Sequence, residues 1–237
     1  MKFKKVIIGE GEKYFYDSGD VHTEHGVIKE ADILKNNQVK SSKGKTFNVI
    51  PAGFNDLLEK IKRGPQIMIH KDIGMILAYT NINKDSLVVD AGSGCGVLAL
   101  HLSRFVKHVY SYEIREDHHE IAKKNIQLFG VTNITLKNRD INNGIQEKNL
   151  DLVILDLADP EKVKKKVSEA LRLGGYLVVY VPQITQVKEF VESSRGLFFI
   201  EKTIEVLERS WKIEGDAVHP KSISIGHTAF ITFCRKL

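Results

Sequence analysis

The feature that most constrains the fold is an apolar strand that runs directly into a glycine-rich loop. The strand ends at Asp90, glycines follow at positions 92, 94 and 96, and a helical pattern begins at Val97. Glycine lacks a Cβ, so the backbone can turn sharply there and approach a ligand closely. This segment predicts a ligand site at the carboxyl edge of a parallel sheet.

Apolar strands alternate with helical periods after residue 63, which predicts a Rossmann-like, doubly wound α/β fold with a mostly parallel sheet. The expected strands are 86–90, 108–113, 134–138, 150–156 and 175–181, and the expected helices are 97–105, 118–129, 161–171 and 185–194. Two later strand-like runs, 196–209 and 227–236, are expected to form an antiparallel hairpin at the sheet edge. Short β-favouring runs broken by polar turns predict a small N-terminal β domain with a linker helix over 1–62, and a catalytic domain over 63–237.

The spacing of the glycines distinguishes between nucleotide cofactors. A dinucleotide fingerprint, G-x-G-x-x-G, would need glycine at Val97, whereas this chain reads D-x-G-x-G-x-G from Asp90. The pattern resembles that of class I S-adenosylmethionine (SAM)-dependent methyltransferases, whose loop wraps the aminoacyl and ribose part of SAM. The candidate cofactor-binding residues in this loop are Asp90, Gly92, Gly94, Cys95, Gly96, Val97 and Leu98.

Two further strands end in carboxylates at the same predicted edge. Glu113 lies 21 residues after Gly92, where its carboxylate could accept both ribose hydroxyls. Asp140 follows the third strand and could hold the adenine amine. His118 lies close enough to Glu113 to approach the ribose. These residues complete the predicted SAM site, which needs no metal.

The fourth strand runs into Asp156, where a transferred methyl group would meet its acceptor. The Asp/Asn-Pro-Pro-aromatic clamp of enzymes that methylate exocyclic DNA amines is absent here. A lone carboxylate instead suits holding a base edge, or stabilising positive charge as a ring nitrogen is alkylated. Asp159, directly before Pro160, is the better candidate for a helix cap. Asp156 is therefore the candidate catalytic residue.

Nearly the whole chain resembles the TrmI family of tRNA (adenine-N1)-methyltransferases. The segments that carry the resemblance are DVHTEHGVIKEADI, RGPQIMIHKDIGMI, DAGSGCGVLAL, YEIRED, DLADP and IGHTAFITFCRK, in family order. The resemblance implies formation of 1-methyladenosine in the T-loop of tRNA, at position 58 and potentially also 57. It also implies Gln66 as a cofactor-binding residue, tRNA as partner and a homotetramer. Relatives place Tyr or His before a Pro-Lys-Asp step, where this chain has Ile69 and His70.

The composition excludes several classes of protein. Only Cys95 and Cys234 are present, too few for a disulfide framework or a four-cysteine zinc site. The longest purely apolar run, 176–181, cannot cross a bilayer, so we expect a cytoplasmic protein without membrane contact. The net charge of +5 permits a polyanionic partner without demonstrating one.

Three alternatives share parts of this pattern. A methyltransferase of a small molecule, such as a precorrin-type enzyme, or of protein isoaspartate would have the same loop, but neither explains the N-terminal module or the GHTAF strand. A non-catalytic RNA-binding subunit would usually have lost the loop glycines or strand-tip acids that are present here. A nicotinamide dehydrogenase is disfavoured by the glycine spacing.

Overall fold

The computed structural model describes residues 4–64, 67–223 and 225–237. They divide into two compact units. One is formed by the chain up to Ile61 together with Leu128–Gly130, and the other by Lys62–Gln127 and Val131–Leu237. Each unit has its own sheet, and each is described separately below.

The first unit is an antiparallel β structure with two short helices. Its elements are β1 (Lys5–Gly9), β2 (Glu12–Tyr16), β3 (Val21–Thr23), β4 (Gly26–Ile28), α1 (Glu30–Lys35), β5 (Gln38–Lys40), β6 (Thr46–Pro51) and α2 (Phe54–Leu58). The four-stranded sheet has the order β2-β1-β6-β5, and β3 and β4 form a separate hairpin. In β6, Phe47 and Val49 are buried while Thr46 and Asn48 are exposed. This alternation gives the sheet one apolar face, against which the small core packs.

The second unit contains the remaining elements. These are α3 (His70–Tyr79), β7 (Leu87–Ala91), α4 (Val97–Leu102), β8 (His108–Glu113), α5 (Glu116–Phe129), β9 (Ile134–Asn138), β10 (Leu150–Leu155), α6 (Lys164–Ala170), β11 (Leu171–Val181), α7 (Ile184–Ser193), β12 (Phe198–Glu205), β13 (Trp211–Glu214), β14 (Ala217–Pro220) and β15 (Phe230–Lys236). Short 3-10 turns span Ile141–Asn143 and Pro160–Lys162.

The main sheet has seven strands in the order β12-β15-β11-β10-β7-β8-β9. The five strands from β11 to β9 are parallel, while β15 runs antiparallel to both of its neighbours. The central strands β10 and β11 are buried along runs of consecutive apolar residues, as expected where helices cover both faces of a sheet. The predicted doubly wound α/β fold with an N-terminal β module is confirmed.

Chain order reverses between β7 and β10, which are adjacent although β8 and β9 separate them in sequence. One crossover leaves β7 toward β8, and the other side of the sheet is built from β10 onward. Such a reversal opens a crevice at the carboxyl ends of the two strands. Asp90 and Asp156 lie at these two strand ends.

The structure changes several predicted boundaries. The helix expected over 161–171 is a 3-10 turn followed by α6, and β11 begins at Leu171 rather than Gly175. The two late strands form the expected antiparallel pair at the sheet edge, and β15 is its inner strand, which also pairs with β11. The hairpin of β13 and β14 was not predicted.

Candidate active site

The tips of β7 and β10 meet so closely that only glycine fits at position 92. Gly92 has a φ of +92°, and a Cβ there would lie 2.2 Å from the carbonyl oxygen of Asp156. The Gly92 amide donates to the carbonyl oxygen of Tyr112 at 3.0 Å, which fixes the loop against β8 as well. The position therefore joins three strand ends at the crevice.

Glu113 orders the rest of the glycine loop. Its Oε2 accepts a hydrogen bond from the Gly94 amide at 2.9 Å, and its Oε1 accepts from the Arg115 amide at 2.9 Å. Each carboxylate oxygen can accept a second bond, so Glu113 still has acceptor capacity toward the crevice that it lines. Gly96, with a φ of +83°, starts α4 close to Ala122 and positions the loop against α5.

The crevice holds a pocket of about 440 Å³. It is lined by Ile67, Met68, Gly92, Ser93, Gly94, Cys95, Val97, Leu98, Glu113, Ile114, Arg115, His118, Asp156, Leu157 and Ala158. Eight predicted site residues are among them. Gly96 and Asp90 do not line the pocket: Gly96 turns the backbone behind it, and Asp90 is buried beneath.

A second pocket of about 270 Å³ adjoins the first and shares part of its lining. Asp140 lines this second part, and its Oδ1 accepts from the Asn142 amide at 2.7 Å, which caps the short 3-10 turn. Arg139 and Lys162 lie at the same pocket. The two pockets together form an elongated cleft with Glu113 in the middle, a shape that fits a nucleoside bearing a side chain.

Asp90 is the most deeply buried carboxylate of the site, with 1% of its surface exposed. Its Oδ2 accepts from the Ser111 hydroxyl at 2.8 Å, whereas Oδ1 is buried and has no hydrogen-bond partner among the described residues. Burial, partly offset by the Ser111 hydrogen bond, raises the pKa of Asp90 to about 6, and the nearby charge of Glu113 acts in the same direction.

Asp156 follows β10 and faces the cleft. The residue is exposed to solvent, yet protein surrounds much of its carboxylate. This partial desolvation, followed by the charges of Asp90 and Glu113, raises the pKa of Asp156 to about 7. Because water still reaches the group, a ligand that displaces this water would complete its desolvation.

Two more predicted residues have defined places, and one does not. His118 lines the cleft with its Nδ1 4.0 Å from Oε2 of Glu113, so an approach to the same ligand group is geometrically open. Cys95 is buried, and its carbonyl oxygen accepts from the Asn125 side chain at 2.8 Å, which fits a packing and loop-shaping role. Gln66 lies outside the described residues.

Sequence reasoning missed a buried polar network beside the cleft. Asp72, fully buried in α3, accepts from Lys71 at 2.7 Å, from Thr228 at 2.8 Å and from Tyr180 at 3.0 Å. Lys71 also donates to Thr228 at 2.6 Å. His227 next to it lies 2.5 Å from Glu205 and 2.7 Å from the carbonyl oxygen of Pro182. The network joins the start of α3 to the strand ends of β11, β12 and β15.

Two parts of this network had a signal in the sequence. The Lys71–Asp72 pair and the Gly-His-Thr run lie in segments that resemble the TrmI family, but the contacts of Asp72 with Tyr180 and Thr228 join residues more than 100 positions apart in the chain. Ile67 and Met68 were also missed as lining residues, since they precede α3 without any strand-end signal.

In the part of the chain that the structure describes, no helix is long and apolar enough to cross a membrane. No group of three or more His, Cys, Asp or Glu residues in the same ranges is arranged to hold a metal ion.

A family match and two relatives covered over nearly their full length show the family of this chain. Residues 59–229 match the family described as the tRNA methyltransferase complex GCD14 subunit. The tRNA (adenine(57)-N(1)/adenine(58)-N(1))-methyltransferase TrmI of Methanocaldococcus jannaschii is 31% identical, with 98% of this chain and 94% of that protein covered. The tRNA (adenine(58)-N(1))-methyltransferase TrmI of Thermus thermophilus is 31% identical, with 98% and 91% covered. A SAM-dependent O-methyltransferase structure from Thermotoga maritima has a TM-score of 0.88 at 27% identity, with 100% and 93% covered.

The family match extends over most of the chain and includes the glycine loop, the strand-end acids and residues 226–229 of the GHTAF segment. The relatives match along nearly their full length, so the resemblance is not confined to the cofactor-binding core. The predicted family is confirmed: the chain belongs to the TrmI family of tRNA (adenine-N1)-methyltransferases.

Proposed function

We propose that this protein methylates N1 of adenine in the T-loop of tRNA, at position 58, with position 57 as the second candidate because the M. jannaschii relative is named for both. The observation that carries the proposal is the position of Asp156, a lone carboxylate at the tip of β10 where it lines the cleft beside the glycine loop. When bound, SAM supplies an electrophilic methyl group on a sulfonium.

The residues of the cleft fit SAM. Gly92 and Gly94 leave room for a ligand against the backbone, and Glu113 retains acceptor capacity for ribose hydroxyls. Asp140 lies at the far end of the cleft, where an adenine amine would be held. The orphaned carboxylate oxygen of Asp90 suits a site for a cationic ligand. The proposed cofactor set also includes Gln66.

Asp156 acts on the acceptor base. Neutral adenine carries a lone pair on N1, so the attack needs neither a strong base nor a metal. Ionised Asp156 would accept a hydrogen bond from the neighbouring exocyclic amine, and its negative charge would offset the positive charge that develops on the ring. Preorganised electrostatic interactions of this kind are worth about 3–4 kcal/mol in other enzymes. The remaining task of the cleft is to align the reacting atoms.

The substrate must be opened before it can react. A T-loop adenine lies within folded tRNA, so the base has to be flipped out, at a cost of about a few kcal/mol. We propose that the N-terminal domain, residues 1–62, contacts tRNA phosphates, and that lysines 162, 164, 165 and 166 of the catalytic domain, residues 63–237, do so as well. Because the substrate is tRNA, we expect the protein to act in the cytoplasm.

We further propose a homo-oligomer, a tetramer as in the family. An exposed apolar face on the hairpin of β13 and β14 supports self-association. Trp211, Ile213 and Val218 are each more than half exposed. A two-stranded hairpin whose apolar face is largely exposed is marginally stable in water, so a second copy that covers this face would stabilise it.

The deciding experiment is methyl transfer from labelled SAM to an unmodified tRNA transcript, followed by nucleoside analysis. We expect 1-methyladenosine, and loss of the label when the T-loop adenines are replaced. Asp156→Asn should lower kcat by about 10²–10³-fold with SAM binding largely retained. Asp85→Asn, which removes a carboxylate from an exposed turn, is the matched control and should retain activity.

A second candidate is methyl transfer to a small molecule or to protein isoaspartate, favoured by the O-methyltransferase name of the Thermotoga structure. The same assay separates the two functions. If SAM binds but no label enters tRNA, the tRNA substrate is wrong and an acceptor screen of small molecules and isoaspartyl peptides follows.

A further inference from the structure

Asp90 has a buried carboxylate within the main sheet, and only one of its two oxygens has a hydrogen-bond partner among the described residues. In β7 it pairs with Ile154 of β10 on one side and with Ser111 of β8 on the other. Oδ2 is held by Ser111, whose hydroxyl oxygen lies 2.6 Å from that of Ser93. Oδ1 is buried without a hydrogen-bond partner in the described ranges. A buried carboxylate that is only half satisfied carries a desolvation penalty, which a cation arriving in the pocket would offset.

The groups that face Asp90 do not supply this cation. Glu113 on β8 and Asp156 on β10 are both acids. The charge of Glu113 raises the pKa of Asp90, and the charges of Asp90 and Glu113 raise the pKa of Asp156. His118 on α5 faces Glu113 at 4.0 Å, and the hydroxyl of Tyr180 on β11 lies within reach of the Asp156 charge. Among the described residues, no lysine or arginine side chain forms an ion pair with any of the three carboxylates. Three cations line the cleft, but Arg115 pairs with Asp117, Lys162 pairs with Asp159, and Arg139 donates to the carbonyl oxygen of Asn143. The carboxylates beneath the centre of the cleft therefore lack an ion-paired cation among the described residues.

We propose that Asp90 is a specificity-determining residue that makes the cleft prefer the cationic methyl donor to its neutral product. SAM carries a positive charge on its sulfonium, whereas the sulfur of S-adenosylhomocysteine is an uncharged thioether; the amino-acid ammonium and carboxylate are the same in both, and the two differ only by the methyl group and this charge. Contacts with adenine, ribose and amino acid are common to both ligands and cannot separate them. A buried, incompletely paired carboxylate beneath the pocket can separate the two ligands, because its interaction depends on the sulfonium charge that only SAM carries.

This inference deepens the cofactor part of the proposed function and predicts a proton linkage. The raised pKa values of Asp90, about 6, and Asp156, about 7, mean that both groups are partly protonated near pH 6.5 in the protein without ligand. A bound cation favours their ionised forms, so SAM binding should release protons. The neutral product should release few or none.

The test is isothermal titration calorimetry of the full chain with SAM, S-adenosylhomocysteine and sinefungin, in which a protonated amine replaces the sulfonium methyl. Asp90→Asn should lower the preference for SAM over S-adenosylhomocysteine by about tenfold, the equivalent of one pKa unit of charge coupling. Sinefungin should behave like SAM. Asp140→Asn is the matched control, because loss of a contact with adenine should weaken all three ligands equally.

Proton release is measured on the wild-type protein by repeating the titrations at pH 6.5 in buffers of different ionisation enthalpy. This measurement decides the case even if Asp90→Asn does not fold. Equal proton release for SAM and S-adenosylhomocysteine, or an unchanged ratio of affinities in folded Asp90→Asn, would overturn the inference. Neither experiment uses tRNA, so both are independent of the acceptor; a wild-type protein that binds neither ligand would contradict the proposed function itself.

Discussion

At the scale of the residue, Gly92 has the least freedom to change. Its backbone lies in the left-handed region, and a Cβ would overlap the Asp156 carbonyl oxygen at 2.2 Å. We expect Gly92→Ala to lower SAM affinity by about 100-fold or more, since the two strand tips that build the cleft must separate. Gly196→Ala is the control, because Gly196 has a similar φ of +83° but no atom within 4 Å of the added Cβ. Equal loss of SAM binding in the two variants would show that backbone strain alone matters.

The raised pKa of Asp156, also a property of a single residue, predicts how activity depends on pH. Its pKa of about 7 lies above the ordinary value of an aspartate, so the group gains a proton as the pH falls through 7 and loses its charge. We expect kcat/KM for SAM, which reports on the enzyme before SAM binds, to fall about tenfold per pH unit below this value. The limb in kcat should lie at lower pH, because the bound sulfonium favours the carboxylate. Coincident limbs in the two profiles would contradict this assignment.

The strand-end acids and the loop glycines could be identified from the sequence because each directly follows an apolar run. Because each residue directly follows a predicted strand, it was expected at the carboxyl edge of the parallel sheet. The raised pKa of Asp90 could not be predicted in this way, since it depends on how β8 and β10 flank the residue and on a missing partner for one oxygen atom. The lining residues Ile67 and Met68 lie in a segment without any regular pattern.

At the scale of the element, the Lys71–Asp72 pair connects α3 to the sheet. We expect Asp72→Ala to cost about 3–5 kcal/mol in the free energy of unfolding, because the Lys71 ammonium then stays buried without its partner. The double variant Lys71→Met/Asp72→Leu should recover most of this loss, since it buries no charge.

Urea denaturation measures both effects. Glu192→Ala, which breaks the exposed ion pair between Lys188 and Glu192 on α7, is the control and should change stability by less than about 1 kcal/mol. If the double variant proves no more stable than Asp72→Ala, the cost comes from lost packing rather than from the buried charge.

The elements themselves were predictable in part. Apolar runs and helical periods located the parallel strands and most helices to within a few residues. The insertion of β15 between β11 and β12 was not predictable, because it depends on pairings between residues about 25 to 59 positions apart. The β13–β14 hairpin had a usable signal in the Gly215-Asp216 turn between two alternating segments.

At the scale of the whole molecule, the exposed face of the β13–β14 hairpin governs the expected assembly. In its register Ile213 is opposite Val218, and Lys212 is opposite His219. Light scattering should give four times the mass of one 26.8 kDa chain. Ile213→Lys, with 74% of the residue exposed in the single chain, should dissociate this assembly because it introduces a charge into the apolar interface.

The control for this prediction is His219→Lys, which adds a charge to the opposite face of the same hairpin and should leave the mass unchanged. A wild-type protein with the mass of one chain would contradict the proposed oligomer. An assembly that survives Ile213→Lys would mean that another surface holds the copies together.

The order of strands in the main sheet also has a consequence for synthesis. During translation β12 leaves the ribosome well before β15, yet it has no partner in the sheet until β15 arrives and pairs with both β11 and β12. In that interval β11, an apolar strand, presents an open edge, the kind of surface through which nascent chains associate wrongly. We therefore expect the growing chain to be most prone to aggregation, and most dependent on chaperones, in the interval before residues 230–236 are synthesised.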